Sequence, residues 1–302
     1  MSALQLQAPA KINWTLEVLG MRPDGYHEVR TILQTINLYD TATLSPADEL
    51  SLSVSGATRG FRRQSREAPE SNIIYRAVRL LQRRTGCHRG VEVRLGKNIP
   101  VAAGLGGASS DAAAVLCGLR DLWGVSISDE ELASLAAELG SDVPFFLRGG
   151  TALGSGRGDA LELLPMPVER FAVVVTPPEP ADAAKTKRLY GLLTPEHYTD
   201  GASTGAVVHR ILAGKPIAGA MRNAFMQVAA QAYAHYDEAC GILRAAGVRH
   251  LLLAGAGPSV FALVTDQGEA DAIAQAVREA GLEAHAARLL GPWSDDGASA
   301  TI

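Results

Sequence analysis

The segment Pro100-Val101-Ala102-Ala103-Gly104-Leu105-Gly106-Gly107-Ala108-Ser109-Ser110-Asp111 constrains the fold of this chain more than any other stretch. Small side chains let backbone N–H groups come close to an anion, and the run that follows, Ala112-Ala113-Ala114, favours a helix. A helix start adds unpaired donors and a partial positive charge. The segment therefore predicts a phosphate cradle that opens a helix. The plain alternative is a tight turn packing a helix onto a sheet. No Gly-Lys-Ser/Thr follows, which excludes the Walker-type loop, and Ser109 stands where a GxGxxG would need its last glycine. Ser109 and Ser110 suit either role, capping the helix or meeting phosphate oxygens or a metal.

The rest of the chain is ordinary in composition. Its 302 residues suggest two domains, and a hydrophobic content of 47% supplies a sizeable core. A net charge of −4 argues against general nucleic-acid binding. Cys87, Cys117 and Cys240 are an odd, scattered set without CxxC. Neither a disulfide framework nor a zinc site is expected, and a reducing cytoplasm fits. The start, Met1-Ser2-Ala3-Leu4-Gln5, lacks a basic leader. No apolar run reaches about 18 residues, so no membrane span is expected.

Ile12, Trp14, Leu16 and Val18 alternate with Lys11, Asn13, Thr15 and Glu17, which predicts a strand with one apolar and one polar face. Arg22-Pro23-Asp24-Gly25 predicts a turn, and Thr31 to Leu38 a second strand. Pro46 to Pro69, with Arg59, Arg62, Arg63 and Arg66, reads as a solvated loop. Helices are expected over Asn72–Arg84, after the small-residue segment up to Gly124, and from Ser128 to Leu139, the last opened by a Ser128/Glu131 capping box. The second half offers strands at Phe171–Thr176, Leu251–Ala254, Val260–Val264 and Ala284–Leu289. Helices are expected over Asn223–Ala246 and Gly268–Ala280, and a polar, frayed tail from Gly291.

Four further features bear on chemistry. Lys11 lies beside Asn13 on the polar face of its strand, where a lysine is otherwise simply solvated. Asp142 follows a helix and precedes Val143-Pro144-Phe145-Phe146. It suits either an N-cap or a general base in apolar surroundings. His27 follows Tyr26 after the turn, a place where a surface histidine is equally common. Gly255-Ala256-Gly257 is either a hairpin loop or a second close backbone approach to a ligand.

Together, Pro9-Ala10-Lys11-Ile12-Asn13, the segment from Pro100 to Ser110, and Ala254-Gly255-Ala256-Gly257-Pro258-Ser259 resemble the three motifs of the GHMP kinases, named for galactose, homoserine, mevalonate and phosphomevalonate. Arg22-Pro23-Asp24-Gly25-Tyr26-His27 and Gly140-Ser141-Asp142-Val143-Pro144-Phe145-Phe146 are similar to the branch whose substrate is a cytidine-diphosphate-linked methylerythritol. The resemblance spans nearly the whole chain. It implies an α+β fold of two domains, with a ribosomal-S5-like part over residues 1–165, a ferredoxin-like part over 166–290, and the polar tail over 291–302. ATP would lie between them with its phosphates on Pro100, Val101, Ala102, Ala103, Gly104, Leu105, Gly106, Gly107, Ala108, Ser109 and Ser110, and Lys97 and Asn72 would lie near the nucleotide.

The resemblance further implies transfer of the γ-phosphate to the 2-hydroxyl of the methylerythritol, as in non-mevalonate isoprenoid synthesis. Asp142 would accept the hydroxyl proton, and Lys11 would keep Asp142 ionised and steady the transferring group. Asn13, Tyr26, His27, Gly255 and Gly257 would meet the substrate, His27 reading the cytosine edge. Thr186 and Tyr190 fill a T-x-x-x-aromatic pattern that places Tyr190 on a face of the base. Mg2+ would ride on ATP and water, with Ser110 as a contributor and no dedicated metal site in the chain. The partners implied are small molecules, without nucleic acid or membrane, to a monomer or weak homodimer. Ala102, Ala103 and Ala108 depart from the most glycine-rich form of the loop, where φ > 0 becomes costly. The alternatives are a mevalonate- or homoserine-type kinase, a non-catalytic nucleotide sensor on the same fold, and a nucleic-acid binder suggested by the ribosomal likeness.

Overall fold

A computed structural model describes residues 3–56, 71–182 and 184–293. Strands β1 (Leu4–Met21) and β2 (His27–Ala47) form a long antiparallel hairpin closed by the Arg22–Gly25 turn. Then come β3 (Leu50–Gly56), α1 (Ile73–Thr85), β4 (Gly90–Lys97), α2 (Gly107–Trp123), α3 (Asp129–Leu139), the single turn α4 (Val143–Phe146), β5 (Thr151–Ser155) and β6 (Ala160–Leu164). The second half runs β7 (Phe171–Thr176), α5 (Lys185–Leu192), α6 (Ala202–Leu212), β8 (Arg222–Asn223), α7 (Ala229–Ala232), α8 (Tyr236–Ala245), β9 (Leu252–Leu253), β10 (Val260–Val264), α9 (Gln267–Glu279) and β11 (Glu283–Arg288). One sheet has the order β3-β4-β2-β1-β8, with β5 and β6 joined through β2; the other has the order β11-β7-β10-β9. No helix among the described residues is long and apolar enough to cross a membrane.

Strand β1 serves two cores. Leu6 and Ala8 pack with Ala113, Leu116 and other residues of α1 and α2, whereas Ala10, Ile12 and Trp14 pack with Val174 and Phe261 of the second sheet. The expected alternation is present, but its polar face is dry: Lys11 is 4% exposed and Asn13 3%. Register shifts against β2 fall between Pro9 and Ala10 and between Asn13 and Thr15, bracketing the Lys11–Asn13 segment. Helix α2 lies close on this strand because Ala112, Ala113 and Ala114 are small and fully buried. At Gly118 a Cβ would sit 2.5 Å from the Leu6 side chain.

A buried charge cluster pins the start of the small-residue loop to the sheet. The Lys97 ammonium, at the end of β4, bonds Asp40 of β2 and Asp111 of α2, the latter at 2.5 Å. The other Asp40 oxygen accepts from the backbone N–H groups of Asn98 (2.6 Å) and Ile99 (2.8 Å). One ammonium between two enclosed carboxylates leaves an excess negative charge. Burial pushes the Asp111 carboxyl up to about 7, with Lys97 opposing and Asp40 adding to the rise.

Three stretches differ from the sequence reading. Leu50–Gly56 is a strand paired in parallel with β4, because its leucines and valine alternate with serines; the arginines from Arg59 to Arg66 lie outside the described residues. The run from Asn223 to Ala246 is broken, with extended backbone at Tyr233. Gly291–Trp293 is anchored, since Trp293 donates from its backbone to Arg148 (2.9 Å) and from its indole to Phe146 (3.1 Å), and lies over Gly149. The remainder of the tail lies outside the described residues.

The cluster makes stability depend on pH. Between the ordinary carboxyl value of 3.8 and about 7, the folded chain keeps a proton on Asp111 that the unfolded chain has lost. Stability is therefore expected to fall as pH rises through that window. Asp111→Asn keeps an acceptor for Lys97 and removes the excess charge. Denaturant unfolding at about pH 5 and about pH 8 should show a smaller loss for the variant than for wild type.

Candidate active site

The small-residue loop ends in a helix start without a side-chain cap. Gly106 occupies the N-cap of α2 with φ 74°, and neither serine caps it; Ser109 and Ser110 lie inside the first turn. Ser110 N–H reaches the Gly106 carbonyl (2.9 Å), so the N–H groups of Gly107, Ala108 and Ser109 precede the first intrahelical bond. Ser110 is buried, and its Oγ has no partner. Left-handed backbone falls at Gly104 (φ 85°), at Gly106 and, against steric preference, at Ala102 (φ 54°). Ala103 and Ala108 avoid it.

The Gly255–Gly257 turn does join two antiparallel strands, β9 and β10, and it also meets the loop. A Cβ on Gly104 would lie 2.0 Å from the Ala254 carbonyl oxygen, and one on Gly255 would lie 2.9 Å from Lys11 Nζ and 3.0 Å from the Gly104 oxygen. Ser259 N–H donates to the Ala103 carbonyl (3.2 Å), and Lys11 N–H to that of Leu105 (2.9 Å). Asn223 holds the turn from behind, donating to the carbonyls of Leu253 and Gly255 (both 2.8 Å).

Lys11 points into this junction. Its ammonium donates to Asn13 Oδ1 (2.8 Å) and lies 3.5 Å from Asp142 Oδ2. Asn13 is fixed in turn by its bond to Thr31 Oγ1 (2.8 Å). Asp142 sits at the N-cap position of α4 without capping it, so its carboxylate is left for Lys11 and for solvent, at 39% side-chain exposure. Phe146, one turn on, packs against Gly106 and keeps α4 beside the loop.

Beside this centre is an aromatic group. His27 stacks on Tyr190 (ring centroids 4.5 Å, planes 18° apart) and meets Tyr198 edge-on at 6.1 Å, with the Tyr198 hydroxyl 3.5 Å from Nε2. Burial lowers the His27 pKa. The Tyr190 hydroxyl is pushed up to about 12, by burial first and then by the charge of Asp142, so the aromatic group and the carboxylate share one electrostatic neighbourhood. Tyr26 is exposed, with the Arg157 guanidinium 5.2 Å over its ring.

Lys11, Asn13, Asp142, the loop from Ala102 to Ser110, Gly255 and Gly257 thus converge, and His27 and Tyr190 adjoin them. Lys97 is enclosed between its two carboxylates, the Asn72 side chain caps α1 by accepting from Ile74 N–H (2.9 Å), and Thr186 is exposed on α5. Sequence reasoning passed over Asp40, Asp111, Tyr198, Asn223 and Lys185. Lys185, 9% exposed, donates to the Ala102 carbonyl (2.5 Å) and to that of Gly257, joining the two glycine-bearing loops. Its position one residue before Thr186 was the available signal. Among the described residues no three His, Cys, Asp or Glu side chains group as metal ligands.

Comparison with known proteins identifies the family. Residues 72–150 match the family model described as GHMP kinases N terminal domain, and residues 212–282 the one described as GHMP kinases C terminal. A 4-diphosphocytidyl-2-C-methyl-D-erythritol kinase of Dehalococcoides mccartyi is 38% identical over 96% of this chain and 99% of its own length. One of Pelotomaculum thermopropionicum is 42% identical over 90% and 92%. A crystal structure of 4-(cytidine 5'-diphospho)-2C-methyl-D-erythritol kinase superposes with a TM-score of 0.77 at 33% identity, covering 95% of this chain and 100% of that one. Homoserine kinase of Cytophaga hutchinsonii shares the fold, with a TM-score of 0.75 at 19% identity over 97% and 96%. The chain is an ATP-dependent small-molecule kinase of α+β GHMP fold, and it belongs to the 4-diphosphocytidyl-2-C-methyl-D-erythritol kinase family of the GHMP kinases.

Proposed function

We propose that this chain transfers the γ-phosphate of ATP to the 2-hydroxyl of 4-diphosphocytidyl-2-C-methyl-D-erythritol. The observation that carries the reading is the Lys11–Asp142 pair, 3.5 Å apart at the mouth of an uncapped helix start. Asp142 accepts the hydroxyl proton as the substrate oxygen bonds to the γ-phosphorus and the bond to the ADP oxygen breaks. Phosphoryl transfer asks mainly for positioning and charge stabilisation. Lys11 supplies the charge, and Asn13 and the Gly255 turn keep its ammonium on the reacting side. The loop from Pro100 to Ser110 cradles the polyphosphate with backbone donors.

Lys97 acts on the nucleotide through the cluster that fixes the loop start, and Asn72 through the position of α1. Mg2+ supplies neutralisation of phosphate charge when bound. The buried, unpartnered Ser110 Oγ fits one contact to it, the rest coming from phosphate and water. His27, Tyr190 and Tyr26 bind the cytosine, and Thr186, exposed on α5 four residues before Tyr190, is assigned to the same substrate. The stacked His27–Tyr190 pair supports a base-bearing substrate over mevalonate or homoserine. The three unpaired cysteines suit a reducing cytoplasm. We divide the chain into working units at residues 1–165 and 166–290.

Turnover of the cytidine-diphosphate substrate with ATP, measured beside mevalonate and homoserine, tests the substrate directly; turnover of either smaller alcohol alone would sink the reading. Asp142→Asn is expected to lower kcat by about 10²- to 10⁴-fold while ATP binding stays measurable, the range for loss of a general base. Tyr190→Ala is expected to raise KM for the cytidine substrate by about tenfold or more, the worth of one stacking contact, with KM for ATP little changed.

A further inference from the structure

The buried ammonium of Lys185 stands apart from the residues assigned so far. Two of its three N–H groups go to main-chain carbonyls: Ala102 O at 2.5 Å in the phosphate loop, and Gly257 O in the facing turn. Ala102 is also the one non-glycine among the described residues with left-handed backbone, φ 54°. A conformation disfavoured for alanine is thus held at its carbonyl by a lysine from another part of the chain. Among the described residues no carboxylate lies within salt-bridge distance of that lysine. The charged groups that face it are Lys11 on β1, Asp142 at the start of α4 and Asp182 just before α5.

We propose that Lys185 is a positioning residue for phosphoryl transfer: its ammonium clasps the phosphate loop to the Gly255–Gly257 turn, holds Ala102 in place, and adds a second positive charge beside Lys11 to the seat of the nucleotide polyphosphate. The inference rests on the loop being that seat. In the absence of an anion the charge is held at a disadvantage. Burial, and then Lys11, push the Lys185 pKa down to about 7, while Asp182 and Asp142 raise it. A polyphosphate entering the cradle offsets both penalties, so nucleotide binding above neutral pH draws a proton onto the chain.

The test is ADP binding by calorimetry at about pH 8 in two buffers of different ionisation enthalpy, together with steady-state kinetics. Wild type should take up a fraction of a proton on binding, and Lys185→Met should take up measurably less. Other groups, Asp111 among them, contribute equally to both proteins. Lys185→Met should also raise KM for ATP by about tenfold to hundredfold, the worth of a charge-assisted hydrogen bond, with KM for the cytidine substrate little changed. Lys185→Gln, which keeps a donor for one carbonyl without the charge, gives the same comparison if the methionine variant is poorly folded. Equal proton uptake, or an unchanged KM for ATP in a folded variant, overturns the proposal. Failure of wild type to bind ADP would instead overturn the placement of the nucleotide on the loop.

Discussion

The structure depends on two backbones touching at Gly104. A side chain there would strike the Ala254 carbonyl, and one at Gly255 would strike Lys11. Only because both positions are bare can the loop that opens α2 lie against the turn between β9 and β10. That contact brings Lys11 of the first sheet, Asp142 of α4 and Lys185 of α5 to one place. Each of these side chains is then fixed by a short-range partner. Asn13 holds Lys11, the geometry of α4 leaves Asp142 uncapped, and two carbonyls hold Lys185.

The arrangement is costly by local rules. The Asp40–Lys97–Asp111 cluster encloses three charges that do not balance, and Ala102 takes a backbone shape suited to glycine. The cluster flanks the small-residue loop, with Lys97 before it and Asp111 after it, and Ala102 lies within it. Local disagreement with folding preference is concentrated around a helix start that carries no side-chain cap.

Much of this was legible in the sequence. The small-residue loop, the alternation around Lys11, the Ser128 capping box and most strands follow from short-range patterns that physics reads directly. The site was legible through a joint likeness of several motifs, because no single one separates a kinase from a packing turn. Burial was illegible: the polar face of β1 looks wet in one dimension and is dry in three, since the second half of the chain returns to cover it. Lys185 and Asp111 were passed over for the same reason. A lysine in Lys-Thr-Lys-Arg resembles a solvated run, and an aspartate after two serines resembles a helix-start ornament, until partners far along the chain are known. The strand Leu50–Gly56 was legible in the alternation of its leucines and valine with serines and was passed over, while its parallel pairing with the remote β4 was not legible.

Strand β1 has a consequence of its own. Even-numbered residues Ala10, Ile12 and Trp14 fill an apolar core, and odd-numbered Lys11 and Asn13 carry the polar centre, with both sets out of water. A slip of the strand by one residue would place an ammonium among Val174 and Phe261 and an isoleucine beside Asp142. Neither outcome is tolerable, and the irregularities on either side of Lys11–Asn13 isolate that short segment from errors elsewhere in an eighteen-residue strand. The correct alignment is thus enforced by the buried charge of Lys11, since a mispaired strand would leave that ammonium enclosed without its partners.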